Sequence, residues 1–165
     1  YESHKQALFD ATRRKMEAEI AKIPNGSYSG EGYVYYDGRF VGSKYTIRVD
    51  IEVKERTIKF DYSRTDAQTN GFVNGTFTSS ASATILTLLQ MVNPDIPHNE
   101  SMVQPIEIVI PEGTVLNAAY PKATTFGNHL CPPNADPLPA FARRFCEVDA
   151  RLTPRPSRRQ KSARR

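Results

Sequence analysis

The sequence predicts an α+β fold, in which an antiparallel sheet meander carries an N-terminal helix and one buried central helix. Two patterns support this prediction. Between Tyr45 and Val53, apolar and polar residues alternate, which is typical of a strand with one buried face. On either side of it, residues 9–23 and 77–92 carry apolar residues at helical spacing. The 165 residues suffice for one core, and we expect them to form a partial domain.

The first helix is predicted from apolar residues that fall on one helical face. Successive spacings of seven, four and three residues separate Phe9, Met16, Ile20 and Ile23. Charged residues lie mostly away from this stripe, so the opposite face is expected to meet solvent. The helix is predicted to end at Pro24-Asn25-Gly26, because proline and glycine do not continue a helix.

Three strands are predicted to follow as a meander. The first covers Tyr28–Tyr36 and ends at an Asp37-Gly38 turn signal. The second is the alternating segment that ends at Val53, and the polar triplet 54–56 makes the next turn. The third begins at Thr57 and places its apolar residues on one face. Because both connections are short, we expect antiparallel pairing.

A second helix is predicted over Thr76–Val92, directly after an Asn74-Gly75 step that makes a corner. Its predicted apolar stripe consists of Phe77, Ala81, Ile85, Leu88, Leu89 and Val92. The Ser and Thr residues near its start are interpreted as packing and capping groups, because no base lies nearby in the sequence to activate a nucleophile. The turn at residues 94–97 ends the helix, and a short strand is predicted near 106–110.

Residues with metal-binding chemistry cluster once in the sequence. The segment Asn128-His129-Leu130-Cys131 is followed by Asp136, so the candidate metal ligands are His129, Cys131 and Asp136. The cluster lacks the second Cys/His pair that most structural zinc sites contain. His98 can join it only through proximity in the folded chain.

Other catalytic signals are sparse. Arg64 and Asp66 follow the third predicted strand, where sites often lie, although a solvated turn is the simpler interpretation. The sequence contains no dinucleotide fingerprint, phosphate-binding loop, nucleophile elbow or zinc-protease motif. Catalytic residues therefore stay unknown, and no cofactor-binding residue is predicted.

Three longer segments occur in a specific order. They are YESHKQALFDATRRKMEAEIAKIPNGSY, then TIKFDYSRTDAQTNGFVNGTFTSSASATILTLLQMVNPDIPHNES, then QPIEIVIPEGTVLNAAYPKATTFGNHLCPPNAD. Each motif is modest alone, but the order and spacing together are specific. Over residues 1–136 the chain thus resembles the hydantoinase B/oxoprolinase family, whose relatives include N-methylhydantoinase, 5-oxoprolinase and the acetone and acetophenone carboxylase subunits.

The resemblance implies a role inside a larger enzyme. It implies that residues 1–136 are a fragment from the C-terminal half of the B-type subunit of an ATP-dependent cyclic amide hydrolase, of hydantoin or 5-oxoproline type, or of a related ketone carboxylase. An A-type subunit or domain is implied as the partner in a hetero-oligomer, and it binds ATP with Mg. The family's divalent metal is implied upstream of Tyr1. We therefore expect no cofactor on this fragment and no activity from it alone.

Residues 137–165 depart from this family pattern. They carry a net charge of +7, whereas residues 1–136 carry −3. Few apolar residues follow Val148, so the end of the chain is not expected to fold. We expect this Arg/Pro-rich tail to be disordered or an out-of-frame extension.

Two alternatives stay open for the function. One is a module that binds nucleic acid through the basic tail, which the near absence of aromatic residues there disfavours. The other is a scaffold subunit that completes a split enzyme. No apolar run reaches about 18 residues, so no membrane partner is expected. Two cysteines do not make a disulfide framework, and a reducing, cytoplasmic location is the simpler expectation.

Overall fold

Four strands form one sheet in the computed structural model, which describes residues 2–37 and 39–124. The strands lie side by side in sequence order. In chain order the elements are α1 (Glu2–Ile20), β1 (Gly26–Tyr36), β2 (Val41–Lys54), β3 (Thr57–Asp61), α2 (Phe77–Val92), a short 3₁₀ helix (Glu100–Val103) and β4 (Ile106–Val109). The predicted α+β class is confirmed.

The predicted antiparallel meander is confirmed for the first three strands. Ile51, in the long strand β2, lies opposite Tyr28 of β1 and Phe60 of β3. The tight β2–β3 turn contains Glu55 in the left-handed region, with φ of 52°. The side-chain oxygen of Asn25 accepts a hydrogen bond from the Glu55 N–H at 2.7 Å. The end of the α1–β1 connection therefore fixes the next turn along the sheet.

β4 joins the sheet as a parallel strand beside β3, so the sheet is mixed. Ile58 lies opposite Ile106, and Asp61 lies opposite Val109. Parallel neighbours need a long crossover connection, and α2 lies within it. A short strand was predicted at this place in the sequence, but its direction follows from the crossover and not from its own residues.

One hydrophobic core joins one face of the sheet to both helices. Met16 and Ile20 of α1 belong to the same buried cluster as Leu88 and Leu89 of α2. The alternation predicted for β2 is confirmed, since its core-facing residues are at most 1% exposed: Ile47, Val49, Ile51 and Val53. Burying each of these side chains stabilises the fold by about 1.5–3 kcal/mol.

The buried face of α2 differs from the predicted stripe near the start of the helix. Leu88 and Leu89 are buried as predicted, but Phe77 is 46% exposed. Ser80 and Thr84 are each 1% exposed in its place. Their hydroxyl groups have buried hydrogen-bond partners, so the helix packs through small polar side chains at this end.

Two side-chain hydrogen bonds attach α1 to the segment that follows α2. Asn93 Nδ2 donates to Glu19 Oε1 at 3.2 Å. Asn99 Nδ2 donates to Thr12 Oγ1 at 2.9 Å, and Thr12 is buried. The N-terminal helix is thereby held against the end of α2 and the 3₁₀ helix.

Candidate functional site

The candidate metal ligands from the sequence cannot be placed in the fold. His129, Cys131 and Asp136, together with the tail 137–165, lie outside the described residues. His98 is described, and its side chain is exposed. In the part of the chain that the structure describes, no group of three His, Cys, Asp or Glu side chains is arranged to hold a metal ion.

The first polar region is the side of the sheet opposite the core, here called the outer face. Its charged residues on the strands are Glu31, Lys44, Arg48, Asp50, Glu52, Lys54, Lys59, Asp61 and Glu107. Arg48 lies near its middle and pairs through Nε with Glu31 at 3.1 Å and through Nη1 with Asp66 at 2.9 Å. Arg64 reaches back over the sheet and pairs with both carboxylate oxygens of Asp50.

The outer face is built for mutual charge compensation. The Arg64 and Asp66 side chains, predicted as a possible site, contact different partners on the sheet and do not converge on a common pocket. Lys59 pairs with Glu107 at 2.8 Å, and this hydrogen bond raises the pKa of the lysine. These pairs stand in solvent, where each is worth little, so the simpler interpretation of a solvated turn agrees with the geometry.

The second polar region is the Asn74 corner, formed by residues 66–76 and 113–124. Asn74 is fully buried, and both polar atoms of its side chain are hydrogen-bonded. Its Oδ1 accepts from the Thr69 N–H at 2.7 Å. Its Nδ2 donates to the carbonyl oxygens of Thr69, Gly71 and Ala123, at 3.2, 3.3 and 2.9 Å. One amide therefore fixes the turn and attaches it to a segment 49 residues away.

Backbone hydrogen bonds extend the Asn74 corner. The Gly75 N–H donates to the Val115 carbonyl at 2.8 Å, and the Ala118 N–H donates back to the Gly75 carbonyl at 3.0 Å. The side-chain oxygen of Gln68 accepts a hydrogen bond from the Ala119 N–H at 2.7 Å. The loop after β4 is thereby folded against the start of α2.

Asp37 anchors the Asn74 corner to the end of the β1–β2 hairpin. Its Oδ1 accepts from the N–H groups of Arg39 and Phe40, at 2.8 and 2.7 Å, and its side chain also accepts from the Tyr45 hydroxyl at 3.1 Å. The Phe40 hydrogen bond is the largest cause of a lowered pKa at Asp37. The Phe72 N–H donates to the Asp37 carbonyl at 3.0 Å. Hairpin and corner therefore meet through one buried residue.

A hydroxyl cluster of Tyr62, Ser80 and Thr84 joins α2 to the sheet. Ser80 Oγ donates to the Leu116 carbonyl at 2.7 Å, and Thr84 Oγ1 donates to the Ser80 carbonyl at 3.0 Å. The Tyr62 hydroxyl lies 2.8 Å from Thr84 Oγ1. Since Thr84 has a single proton to donate, Tyr62 is the donor in that pair. Burial raises the pKa of Tyr62 to about 12, so the phenol stays protonated at neutral pH.

The start of α2 is capped by its own residues. Thr76 is the N-cap, and its hydroxyl accepts from the Ser79 N–H at 3.3 Å. The Ser79 side chain accepts in turn from the Thr76 N–H at 3.2 Å, which completes a capping box. The interpretation of these hydroxyls as packing and capping groups is confirmed. The sequence marked both Asp37 and Asn74, but only as turn residues.

Comparison with known proteins identifies the larger context. Residues 1–133 match the sequence model of a family described as hydantoinase B/oxoprolinase. A 5-oxoprolinase of Dictyostelium discoideum is 35% identical over 89 residues, which are 54% of this chain and 7% of that protein. Other curated relatives are also matched over at most 22% of their length. The chain therefore spans a small part of the curated relatives it matches.

Solved structures share the fold. An ATP-dependent caprolactamase from Pseudomonas jessenii superimposes with a TM-score of 0.75 at 22% identity, over 87% of this chain and 25% of that chain. A nucleotide-free acetone carboxylase superimposes with a TM-score of 0.59 at 18% identity, over 68% of this chain and 16% of that chain.

In the described residues, neither helix has the length and apolar character needed to cross a membrane.

Proposed function

Since the chain belongs to the hydantoinase B/oxoprolinase family, we propose that it is a fragment from the C-terminal half of a B-type subunit and contributes framework to an ATP-dependent enzyme. The reaction proposed for the complete enzyme is the opening of a cyclic amide, the class that includes hydantoins and 5-oxoproline. Carboxylation of a ketone is the related alternative. The fragment alone is inactive.

The observation that carries this proposal is the extent of the structural match. Nearly all of this chain superimposes on a quarter of the chain of an ATP-dependent caprolactamase. A fold that recurs as one part of a much longer enzyme supports a role as part of such an enzyme. The match to an acetone carboxylase over 68% of this chain supports the same role for the ketone alternative.

The polar regions support a framework role in particular. In the Asn74 corner every polar atom of a fully buried amide is engaged by backbone of the same chain. In the hydroxyl cluster Ser80, the most buried serine of α2, donates to the Leu116 carbonyl. Such groups hold elements in fixed positions and leave the chemistry to other parts of the enzyme.

The remaining parts of the enzyme follow from the family. We propose an A-type partner that binds ATP with Mg in a hetero-oligomer, and a divalent metal in another segment of the B-type polypeptide. A cytoplasmic location belongs to the same proposal. Residues 137–165 are proposed to be a tail that takes no part in this assembly.

Complementation tests the proposal. The caprolactamase chain is expressed without the segment that this fold matches, together with the proposed A-type partner and the present chain. ATP-dependent ring opening of caprolactam is measured by product release. We expect turnover only from the full mixture, and none from the present chain with ATP and the partner alone.

A matched control uses Gly71→Val, whose side chain cannot fit beside Asp37. This variant should restore neither turnover nor co-purification. Co-purification of the unmodified chain without turnover would mean that it binds the truncated enzyme without completing it. Ring opening by the present chain and partner without the truncated enzyme would contradict the fragment proposal.

A further inference from the structure

Asn-Gly steps occur at Asn25, Asn70 and Asn74. Asparagine is chemically labile, and a following glycine has no Cβ to shield its backbone nitrogen. That nitrogen attacks the side-chain carbonyl carbon of the asparagine, which closes a succinimide ring and releases ammonia. Because the same two residues form all three steps, their surroundings in the fold decide which of them reacts.

The fold protects the Asn74 step. Asn74 is fully buried, and its side-chain oxygen accepts from the Thr69 N–H at 2.7 Å. The nitrogen that would attack belongs to Gly75, whose N–H donates to the Val115 carbonyl at 2.8 Å. Both reacting groups are therefore engaged away from water, and we expect this step to react most slowly.

The sheet restrains the Asn25 step. Gly26 is the first residue of β1 and lies opposite Val53 of β2. The side-chain oxygen of Asn25 accepts a hydrogen bond from the Glu55 N–H, which is a neutral donor. The nucleophile thus belongs to a paired strand, although Asn25 and Gly26 are both exposed.

The surroundings of the Asn70 step favour the reaction. Asn70 is exposed and lies outside the helices and strands. The Gly71 N–H donates to the Thr69 hydroxyl at 2.9 Å and not to a backbone carbonyl. The side-chain oxygen of Asn70 accepts a hydrogen bond from the Lys122 ammonium group, which polarises the carbonyl that is attacked.

The fold itself brings Lys122 to Asn70, across 52 residues of sequence. The Lys122 N–H donates to the Ala119 carbonyl at 3.1 Å. The next carbonyl along the chain, that of Ala123, accepts from the Asn74 side chain at 2.9 Å. The same corner that protects Asn74 therefore places a cation on the carbonyl oxygen of Asn70.

We propose that Asn70 is a deamidation site and that Lys122 promotes the reaction. The Gly71 nitrogen gives its proton to solvent and bonds to Cγ of Asn70, while Nδ2 takes up a proton and leaves as ammonia. Negative charge develops on Oδ1 during this step, and the Lys122 ammonium group stabilises it. Water then opens the succinimide at one of its two carbonyls, which leaves aspartate or isoaspartate.

Formation of isoaspartate changes the Asn74 corner. It inserts a methylene group into the backbone between Asn70 and Gly71. The Asn74 amide holds the residues on both sides of this point, since it donates to the carbonyl oxygens of Thr69 and Gly71. Gly71 also lies close against the Asp37 carbonyl. We therefore expect the modified chain to unfold at a lower urea concentration than the fresh chain.

The test incubates the folded 165-residue chain at neutral pH and follows each Asn-Gly step by tandem mass spectrometry. We expect Asn70 to react first, then Asn25, then Asn74. Lys122→Met should slow the reaction at Asn70 about fivefold and leave the rate at Asn25 unchanged. Lys122→Arg keeps a cationic donor and should restore most of the rate.

Three controls separate this chemistry from a change in folding. Lys15→Met removes an exposed lysine of α1 and should leave every rate unchanged. In concentrated urea the three steps should react at similar rates, and Lys122→Met should have no effect there. Asn70→Ala, incubated for the same time, should keep the urea unfolding midpoint that the unmodified chain loses.

Several results would overturn the proposal. Faster reaction of Asn70 in Lys122→Met would mean that the lysine restrains the side chain and protects it. Faster reaction at Asn25 than at Asn70 would mean that exposure of the glycine sets the rate, since Gly26 is exposed and Gly71 is buried. An Asn70 that stays intact while Asn25 reacts would exclude the site.

Discussion

The Asn74 corner and the outer face of the sheet both contain several polar contacts, but in opposite surroundings. In the corner, one neutral amide that water does not reach makes four hydrogen bonds to backbone. On the outer face, arginines and carboxylates pair in water; Arg64 and Asp50 are 57% and 46% exposed. A buried group that loses its partner keeps the full cost of desolvation, whereas an exposed ion is rehydrated.

The comparison indicates which polar contacts specify this fold. Contacts on the outer face are short and charged, but water replaces them at small cost. Contacts in the corner are individually ordinary, but nothing replaces them. We therefore expect substitutions to have large effects in the corner, intermediate effects in the hydroxyl cluster and small effects on the outer face.

Gly71→Val is expected to have the largest effect. A Cβ at this position would lie 1.7 Å from the Asp37 carbonyl oxygen and 2.6 Å from the Asp37 carbonyl carbon. Both are backbone atoms and cannot move aside without breaking the contact between hairpin and corner. We expect a loss of more than about 4 kcal/mol in the free energy of unfolding, measured by urea denaturation.

Gly42→Ala is the matched control for this prediction. Gly42 has φ of 91°, and an added Cβ would meet no atom within 4 Å. Only backbone strain is introduced, which costs about 1–2 kcal/mol. Equal losses for the two variants would show that the close approach at Gly71 does not specify the corner.

Asn74→Asp is expected to have the next largest effect. The carboxylate keeps the acceptor for the Thr69 N–H, but it turns the donor that serves three carbonyl oxygens into a further acceptor. We expect a loss of about 3 kcal/mol in thermal or urea unfolding. Asn25→Asp is the control, since that exposed side chain also accepts one backbone N–H and should lose less than about 0.5 kcal/mol. Equal losses of unfolding free energy for the two variants would mean that burial does not determine the effect of the substitution.

Periodic patterns predicted the elements that depend on the hydrophobic core. The stripe of Met16 and Ile20 and the alternation of Ile47 to Val53 are buried as expected, because burial follows the period of the element. The predicted buried face of α2 was wrong at Phe77, which is exposed, and the reason is physical. Ser80 replaces it on the buried side by bonding to Leu116, 36 residues away, and no local pattern contains that partner.

The candidate site also depends on partners that are distant in sequence, which a local pattern cannot reveal. The Asn-Gly step marked Asn74 as a corner, but its bond to the Ala123 carbonyl depends on how a distant loop folds back. The parallel direction of β4 likewise depends on the crossover through α2. Arg64 and Asp66 were selected in the sequence by their position at a strand end. Only the folded structure shows that they have different partners, Asp50 for Arg64 and Arg48 for Asp66.

The hydroxyl cluster is expected to give effects of intermediate size. Thr84→Val keeps the shape of the side chain but leaves the buried Tyr62 hydroxyl without its 2.8 Å partner. We expect a loss of about 1–2 kcal/mol. Tyr62→Phe removes the hydroxyl itself, so the double variant should lose less than the sum of the two single losses. Additive losses in this double-mutant cycle would mean that the two groups do not depend on each other.

Unfolding at alkaline pH tests the contribution of Tyr62 to stability. Its pKa is raised by burial from the ordinary value of 10.0 to about 12. A raised pKa in the folded state means that the stabilising contribution is complete below pH 10 and is lost as the pH rises toward 12. The free energy of unfolding should therefore fall less steeply over this range in Tyr62→Phe than in the unmodified chain. Parallel curves would contradict the assignment of this titration to Tyr62.

Arg64→Gln on the outer face is expected to have the smallest effect. Arg64 contacts both oxygens of Asp50, but both side chains remain about half exposed. Water and salt therefore compensate for the lost pair, and we expect a change of less than about 0.5 kcal/mol that shrinks further at high ionic strength. Urea unfolding at low and high salt measures it. A loss as large as that of Thr84→Val, insensitive to salt, would mean that the outer face specifies the fold as strongly as the buried polar groups do.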